Sequence, residues 1–319
     1  MKKSFIPIVV SIILISFSGC GKDDNTVLSS STESAIPVVH EEAKVADNVS
    51  VQSELIAEPE DNPEETEETE QKILTFRDVY GEEYQTVIDP EVPSNPYDVS
   101  RFVHDGYKLK YDDEEYDCLL GIDVSHHQGD VDWNSVKEQG YDFAFLRIGF
   151  RGYGKEGSLN RDKTFEQNYE NARAAGLDVG VYFFAQAINE EEAEEEAQYV
   201  LNILNGRELE LPVVYDPESI LDDEARTDNV TAEQFTKNTR AFCDAVKNAG
   251  YSPMVYSNML WEAFQLDLAK LSDIPIWYAD YEDVPQTPYD FEFWQYSNEG
   301  RVSGVSGTAD LNIRMRRSE

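Results

Sequence analysis

Short apolar runs alternate with amphipathic segments from residue 119 to residue 313 of this 319-residue chain. Apolar runs that contain β-branched and aromatic side chains predict buried strands. Eight such runs are present: Leu119–Val124, Phe143–Gly149, Val179–Ala185, Pro212–Asp216, Pro253–Ser257, Pro275–Asp280, Phe291–Tyr296 and Ala309–Ile313.

Five segments with apolar residues at helical spacing separate the first six of these runs. Asn189 is a predicted N-cap, and Thr231 opens a capping-box sequence. The predicted helices are Trp133–Gln139, Lys163–Ala175, Glu190–Leu204, Thr231–Ala249 and Met259–Leu271.

Repeated alternation of strands and helices predicts parallel strands. Eight strands can close into a barrel, which removes exposed sheet edges. We therefore predict an α/β fold over residues 118–319, an irregular TIM-like barrel of (β/α)5(β)3 type. An open, doubly wound sheet is the alternative. In a barrel of this kind the active site lies where strands end and β/α loops begin.

Acidic residues occur at the ends of several predicted strands. Asp216 and Glu218 leave the fourth strand two residues apart, so their side chains are expected on one face. Asp123 ends the first strand and Asp280 the sixth, whereas Asp310 near the start of the eighth is less well placed. Carboxylates that share a small volume cannot all ionise at their free pKa, which separates an acid from an anion. Taken alone, Asp216 and Glu218 are equally consistent with two solvated acids.

Aromatic residues are expected at the same level of the barrel. Each one taken alone is more consistent with barrel core than with a cleft, because bulky side chains fill barrel interiors. We nevertheless expect some of them to line a sugar-binding groove, since flat apolar sugar faces need flat apolar partners. The candidates are Tyr182, Phe184, Trp277, Tyr278, Tyr281, Trp294 and Tyr296.

Several motifs occur in one order along the chain. They are Gly121-Ile122-Asp123-Val124-Ser125, Phe145-Leu146-Arg147-Ile148-Gly149, Gly180-Val181-Tyr182-Phe183-Phe184-Ala185, Asp216-Pro217-Glu218, Trp277-Tyr278-Ala279-Asp280-Tyr281, Phe293-Trp294-Gln295-Tyr296-Ser297 and Asp310-Leu311-Asn312. Together the motifs resemble glycoside hydrolase family 25, the Chalaropsis-type lysozymes that cleave peptidoglycan. The resemblance covers about Gly121 to the C-terminus.

This resemblance implies a role for each matching acid. Glu218 would be the general acid and Asp216 its electrostatic partner, and Asp123 and Asp280 would match the two other active-site acids. The implied substrate is the β-1,4 bond between N-acetylmuramic acid and N-acetylglucosamine in peptidoglycan glycan strands, with no cofactor and no metal. Phe183 stands where many members have His, which is expected to alter the groove. The predicted substrate-binding residues are Tyr182, Phe184, Arg147, Trp277, Tyr278, Trp294, Tyr296 and Asp310.

The reaction course is open at this point, because retention, inversion and participation of the substrate's own N-acetyl group all fit these residues. A non-catalytic lipoprotein that binds wall glycan on the same barrel is the rival interpretation.

The first 117 residues are predicted to direct export of the protein and to tether the barrel to the membrane. Lys2 and Lys3 precede an apolar run that ends near Cys20, which is typical of a signal peptide over residues 1–20. The Gly-Cys ending resembles a lipoprotein cleavage box, so we predict lipidation of Cys20 and anchoring to the outer face of the bacterial cytoplasmic membrane; an ordinary secretory signal is the alternative.

Residues 21–72 contain fifteen acids and three bases and are expected to form a disordered tether. Residues 73–117 regain aromatics and are expected to form short strands packed on the barrel.

Charge and the remaining residue types limit other functions. A formal net charge of −38 argues against nucleic-acid partners. Cys118 and Cys243 could pair, but thiols are favoured because their spacing suggests no disulfide framework. His126 and His127 would face opposite ways on a strand, which argues against a shared metal. We expect a monomer.

Overall fold

The protein is described by a computed structural model that covers residues 71–79, 81–111, 113–220 and 223–318. The predicted signal peptide, Cys20 and the acidic tether up to residue 70 lie outside these residues.

Among the described residues, four short strands precede the barrel as two antiparallel pairs. They are β1 (Ile73–Arg77), β2 (Glu83–Val87), β3 (Val103–Asp105) and β4 (Lys108–Lys110). The extension they form packs on the barrel through aromatic side chains. The Tyr97 hydroxyl donates to the Phe291 carbonyl at 2.8 Å, and the ring centroids of Phe102 and Trp294 lie 5.2 Å apart.

Eight strands close the barrel, which confirms the predicted mixed α/β barrel and excludes the open sheet. They are β5 (Tyr116–Val124), β6 (Phe143–Arg151), β8 (Asp178–Ala185), β9 (Val213–Pro217), β10 (Pro253–Asn258), β11 (Ile276–Ala279), β12 (Phe293–Gly300) and β13 (Ala309–Arg317). A short strand that was not predicted, β7 (Leu159–Arg161), pairs with the edge of β6.

The last barrel strand runs against its neighbours. β13 is antiparallel to both β12 and β5, whereas the other adjacent barrel strands are parallel. The expectation of parallel strands is therefore wrong for β13. Its reversal brings the beginning of β13 to the end of the barrel where the parallel strands finish, which is the mouth.

Five α-helices lie between the first six barrel strands. They are α1 (Trp133–Glu138), α2 (Phe165–Ala174), α3 (Glu190–Leu204), α4 (Ala232–Asn248) and α5 (Met259–Phe264). Asn189 caps α3 as predicted, because its side chain accepts a hydrogen bond from the Glu192 amide at 2.9 Å. The fifth helix is shorter than expected, since the chain leaves it after Phe264 and forms a separate 3₁₀ turn over Leu268–Leu271 that Asp267 caps.

Glycines allow large rings to fill the barrel interior. Phe145 and Trp277 stack there with ring centroids 4.5 Å apart. A Cβ atom on Gly180 would lie 2.4 Å from the Phe145 ring and 2.8 Å from the Leu211 side chain. The packing of this aromatic layer therefore depends on the absence of a side chain at Gly180 on β8.

Gly180→Ala should lower the free energy of unfolding by about 1–3 kcal/mol, since the added methyl group overpacks a rigid aromatic layer. Gly154→Ala is the matched control, because a Cβ atom there meets nothing within 4 Å and the backbone is not left-handed. Chemical denaturation of both variants measures the difference. Equal stability of the two variants would contradict the packing argument.

The two cysteines of the barrel, Cys118 and Cys243, are thiols that form no disulfide with each other. Cys118 is half-buried on β5 and Cys243 is buried on α4, where burial raises the pKa of its thiol. Among the described residues, no helix has the length and apolar character needed to cross a membrane.

Candidate active site

In–out alternation along the strands decides which side chains enter the barrel. On β9, Val214 packs with the interior rings, whereas Tyr215 points outward and its ring lies 4.8 Å from that of Phe242 on α4. Asp216 continues the inward series at the mouth, and Glu218 follows two residues later. The predicted placement of both acids on one face is therefore what the strand geometry produces.

Four carboxyl groups meet at the mouth. Asp123 is on β5, Asp216 is on β9 and Glu218 directly follows β9, while Asp310 lies beside Asp123 in the antiparallel register of β13 and β5. Asp310, which was expected to be less well placed than the other acids, belongs to this cluster because β13 is reversed. Burial raises the pKa of Asp310, and the two carboxyl groups are close enough for the charge of Asp123 to raise that pKa further.

Amide donors hold Asp123 in its ionised form. One carboxylate oxygen of Asp123 accepts hydrogen bonds from Gln295 Nε2 at 2.8 Å and from Asn312 Nδ2 at 2.9 Å. The Trp277 indole N–H, which only donates, bonds to Asn312 Oδ1 at 2.8 Å and so turns the Asn312 amide nitrogen toward Asp123. Tyr256 donates to Gln295 Oε1 at 2.9 Å and orients that amide in the same way.

The four acids titrate at higher pH than free carboxylic acids. Burial, the negative charge of Asp123 and the opposing charge of Arg147 give Glu218 a pKa of about 7. Burial also raises the pKa of Asp123, but its hydrogen bonds from Asn312 and Gln295 hold it to about 6. For Asp216 and Asp310, burial and the neighbouring carboxylates raise the pKa well above the usual range. Near neutral pH this arrangement holds an anion, Asp123, close to a half-protonated acid, Glu218.

Asp216 presents an unsatisfied oxygen within this cluster. The residue is 4% exposed, and its Oδ1 atom has no hydrogen-bond partner within the described part of the chain. A buried acceptor without a donor is costly unless a ligand supplies one. Asp216 is therefore suited to accept a hydrogen bond from a bound molecule.

Arg147 supplies positive charge at the rim of the cluster. Its Nε donates to Asp162 Oδ2 at 2.9 Å, and its guanidinium contacts the His126 ring. His126 and His127 lie on a 3₁₀ turn with ring centroids 4.1 Å apart, so the expectation that they face opposite ways on a strand is wrong. His126 Nδ1 also lies 3.2 Å from Asp162, which makes this histidine part of the support of Arg147.

Asp280 does not join the cluster, contrary to the convergence expected from the sequence. Trp277 and Ala279 face the barrel interior, so Tyr278 and Asp280 face outward. The Asp280 carboxylate accepts hydrogen bonds from the Tyr278 hydroxyl at 2.8 Å and the Gln286 amide at 2.9 Å. It holds the loop between β11 and β12.

The same alternation redistributes the predicted aromatic residues. Tyr182 packs with the interior rings from β8, and Phe184, in register with Asp216, faces the barrel mouth. Trp277 is 1% exposed below the acids, where it supports Asn312. The others are buried on the outside of the barrel, mostly beneath the extension, and cannot line a groove: Tyr278, Trp294 and Tyr296. Phe183 also faces outward, toward Tyr199 on α3, so its replacement of His does not alter the groove.

Comparison with known proteins supports the geometry of this barrel. The model of glycosyl hydrolases family 25 matches residues 122–305, which is more than half of the chain. The chain belongs to glycosyl hydrolase family 25. The matched region includes Asp123, Asp216 and Glu218, and the extension of β1–β4 precedes it.

Relatives within family 25 include named lysozymes. The autolytic lysozyme of Clostridium acetobutylicum is 31% identical over 195 residues, which are 61% of this chain and 55% of that protein. Lysozyme M1 of Streptomyces globisporus is 30% identical over 61% of this chain and 67% of that protein. The crystal structure of the bacterial lysozyme from Streptomyces coelicolor aligns with a TM-score of 0.50 at 29% identity, over 61% of this chain and 90% of that one. The present chain thus spans about half the length of the first of these relatives.

Two residues of this family 25 site, Gln295 and Asn312, were not singled out in the sequence. Both side chains point into the barrel. Gln295 lies two residues after Phe293, whose ring is in the interior, and Asn312 lies two residues after Asp310. Counting alternate residues from Phe293 would have placed Gln295 at the mouth. Tyr256 has no such signal, since its role depends on the contact with Gln295.

A buried ion pair supports the main chain at Glu218. Gln186 Nε2 donates to the Glu218 carbonyl at 2.8 Å, and the Gln186 backbone N–H donates to Glu196 Oε1 at 3.1 Å. Glu196 is fully buried and accepts from Arg151 Nε at 2.7 Å. Burial, opposed by the charge of Arg151, gives Glu196 a pKa of about 7.

Arg151→Met should lower the free energy of unfolding at pH 9 by about 3–5 kcal/mol, because Glu196, with a pKa of about 7 beside Arg151, is ionised there and is left buried without its cation. The loss should shrink at pH 5, where Glu196 is protonated and needs no counter-charge. Arg161→Met is the matched control, since the Arg161–Glu166 pair is about two-fifths exposed and such pairs contribute about 0–1 kcal/mol. Chemical denaturation of the wild type and both variants at each pH gives the loss in free energy of unfolding for each variant. A loss that does not depend on pH would contradict this role of Glu196.

Proposed function

We propose that this protein is a peptidoglycan hydrolase that cleaves the β-1,4 bond between N-acetylmuramic acid and N-acetylglucosamine. The observation that carries the proposal is the meeting of Glu218, with a pKa of about 7, and the amide-held anion Asp123 at the mouth of a family 25 barrel. Glycoside hydrolysis needs a carboxylic acid for the leaving oxygen and a carboxylate for the positive charge at the anomeric carbon. The names of the lysozyme relatives support the same substrate.

In this mechanism Glu218 protonates the glycosidic oxygen as the bond breaks. Asp123 stabilises the oxocarbenium-like transition state, since Gln295 and Asn312 keep it ionised. The unpartnered Oδ1 of Asp216 accepts the N–H of the substrate's N-acetyl group, which places the acetyl oxygen for attack at the anomeric carbon. A hydrogen bond to a carboxylate favours its ionised form, so substrate binding draws the proton from Asp216.

The test is incubation of the exported protein with purified peptidoglycan, with and without EDTA. We expect release of reducing ends that carry muramic acid, unaffected by EDTA. Reducing ends that carry glucosamine would contradict the bond assignment, and binding without release would support a glycan-binding protein instead. Proton NMR of the first product gives the anomer, and retention is expected if the N-acetyl group participates.

We also infer that the barrel has the (β/α)5(β)3 arrangement, that the protein acts as a monomer, and that it is exported and held at the membrane through a lipid on Cys20. Five α-helices between the first six barrel strands, with none between β11 and β13, support the first inference. The basic start, apolar run and Gly-Cys ending of residues 1–20 support the last. Labelling of the protein by a fatty-acid analogue, lost in Cys20→Ser, tests the anchor.

A further inference from the structure

The extension is fastened to the barrel mouth at β1. The backbone N–H of Arg77 donates to Gln286 Oε1 at 2.8 Å, and Gln286 Nε2 donates back to the Arg77 carbonyl at 2.9 Å. The backbone N–H of Gln286 is in turn bonded to Asp280, which holds the loop after β11. Asp280 therefore fixes the position of the extension rather than acting on the glycosidic bond.

A cavity of about 370 Å³ lies between the extension and the carboxyl ends of β10 and β11. Its volume lies within the range of about 300–1,000 Å³ that is typical of ligand pockets. Arg77 and Val79 form one wall, and Tyr281 and Glu282 belong to the other. The family model begins at residue 122, so the first wall lies outside the matched region.

Tyr281 connects this cavity to the catalytic cluster. The residue is 37% exposed, and its hydroxyl donates to Gln295 Oε1 at 2.9 Å. Gln295 is the residue that holds Asp123. A glycan strand that runs through the mouth would therefore pass from the acids directly over Tyr281.

The chemistry of the cavity fits a neutral sugar. Tyr281 and the 59% exposed Val79 offer apolar surface for a sugar face. Arg77 is exposed, and its guanidinium has no ion-pair partner within the described residues, so its donors are available to hydroxyl or acetamido oxygens. Asp280 and Glu282 oppose the charge of Arg77, which disfavours an acidic peptide in the same space.

We propose that the extension and the loop after β11 form an additional saccharide subsite for an N-acetylhexosamine unit of the glycan strand beyond the cleaved bond. This inference rests on the proposed function, because the strand that fills the subsite is the substrate of the acids. It predicts that the extension contributes to cleavage of long glycans only.

The test compares Arg77→Ala with the wild type on peptide-free glycan oligomers of increasing length. The two hydrogen bonds between Gln286 and residue 77 use only the backbone of residue 77, so this variant keeps the extension in place. We expect kcat/KM to fall about five- to tenfold on long oligomers, the effect of losing one or two hydrogen bonds, and to stay unchanged on the shortest cleaved oligomer. Lys110→Ala is the matched control, an exposed cation of the same extension that lines no part of this cavity.

Binding affinity for glycan oligomers, measured in proteins that carry Glu218→Gln, tests the subsite independently of hydrolysis. With Glu218→Gln in both proteins, adding Arg77→Ala should weaken binding of the longest oligomer by the same factor in calorimetric titration. An equal loss at every length, or no loss at any length, would overturn the subsite. If the wild type cleaves no glycan but Arg77→Ala still weakens binding of long oligomers only, the proposed function falls and the subsite stands.

Discussion

Glu218→Gln is expected to lower kcat for peptidoglycan hydrolysis by about 10²–10⁴-fold, because an amide cannot protonate the leaving oxygen. The side chain keeps its size, and its main chain remains bonded to Gln186, so the cleft should keep its shape. Reducing-end release at pH 6.5 measures the loss. Glu299→Gln, an exposed acid on β12, is the matched control and should keep wild-type activity.

Stability measurements distinguish a chemical loss from a folding defect. The folded protein raises the pKa of Glu218 from about 4.3 in an unfolded chain to about 7. The folded state therefore binds the proton more tightly, and this contribution to stability is present below the unfolded pKa and is lost as pH rises through about 7. Because Gln carries no charge, Glu218→Gln should be at least as stable as the wild type at pH 8. A destabilised variant at pH 8, or one with near-wild-type lysis, would contradict the assignment of the acid.

Asp123→Asn is expected to lower kcat by about 10²–10³-fold and to shift the pH dependence of kcat/KM. The rate falls because the anion that faces the developing positive charge is lost. The shift follows from electrostatics: the charge of Asp123 raises the pKa of Glu218, so its removal lowers that pKa. Glu218 then loses its proton at lower pH, and the alkaline limb of the profile moves to lower pH.

The pH profiles of the two proteins measure this coupling directly. The wild type should show a bell, rising as Asp123 ionises near pH 6 and falling as Glu218 ionises near pH 7. In Asp123→Asn the acidic limb should disappear as well, since its titrating group is gone. An alkaline limb that stays in place would mean that Asp123 and Glu218 do not interact, whatever the loss in rate.

Local sequence patterns were sufficient to predict the order of strands and helices in the barrel and the pairing of Asp216 with Glu218. Both depend on local periodicity: a buried strand followed by acids two residues apart has one geometry. The capping of α3 by Asn189 is local in the same way. The motif order was also sufficient to indicate the family.

Which other acids join that pair depends on how the strands pack in the barrel, and local patterns do not contain this information. Asp280 and Asp310 both lie near strand ends. Asp280 faces outward because side chains alternate along β11, whereas the antiparallel direction of β13 places Asp310 beside Asp123. The direction of β13 is set by its pairing with β12 and β5. The contacts with β5 join residues more than a hundred positions apart in the sequence, so no local pattern encodes them. The same non-local pairing places Gln295 and Asn312 on Asp123, and it therefore determines which carboxylate stays ionised.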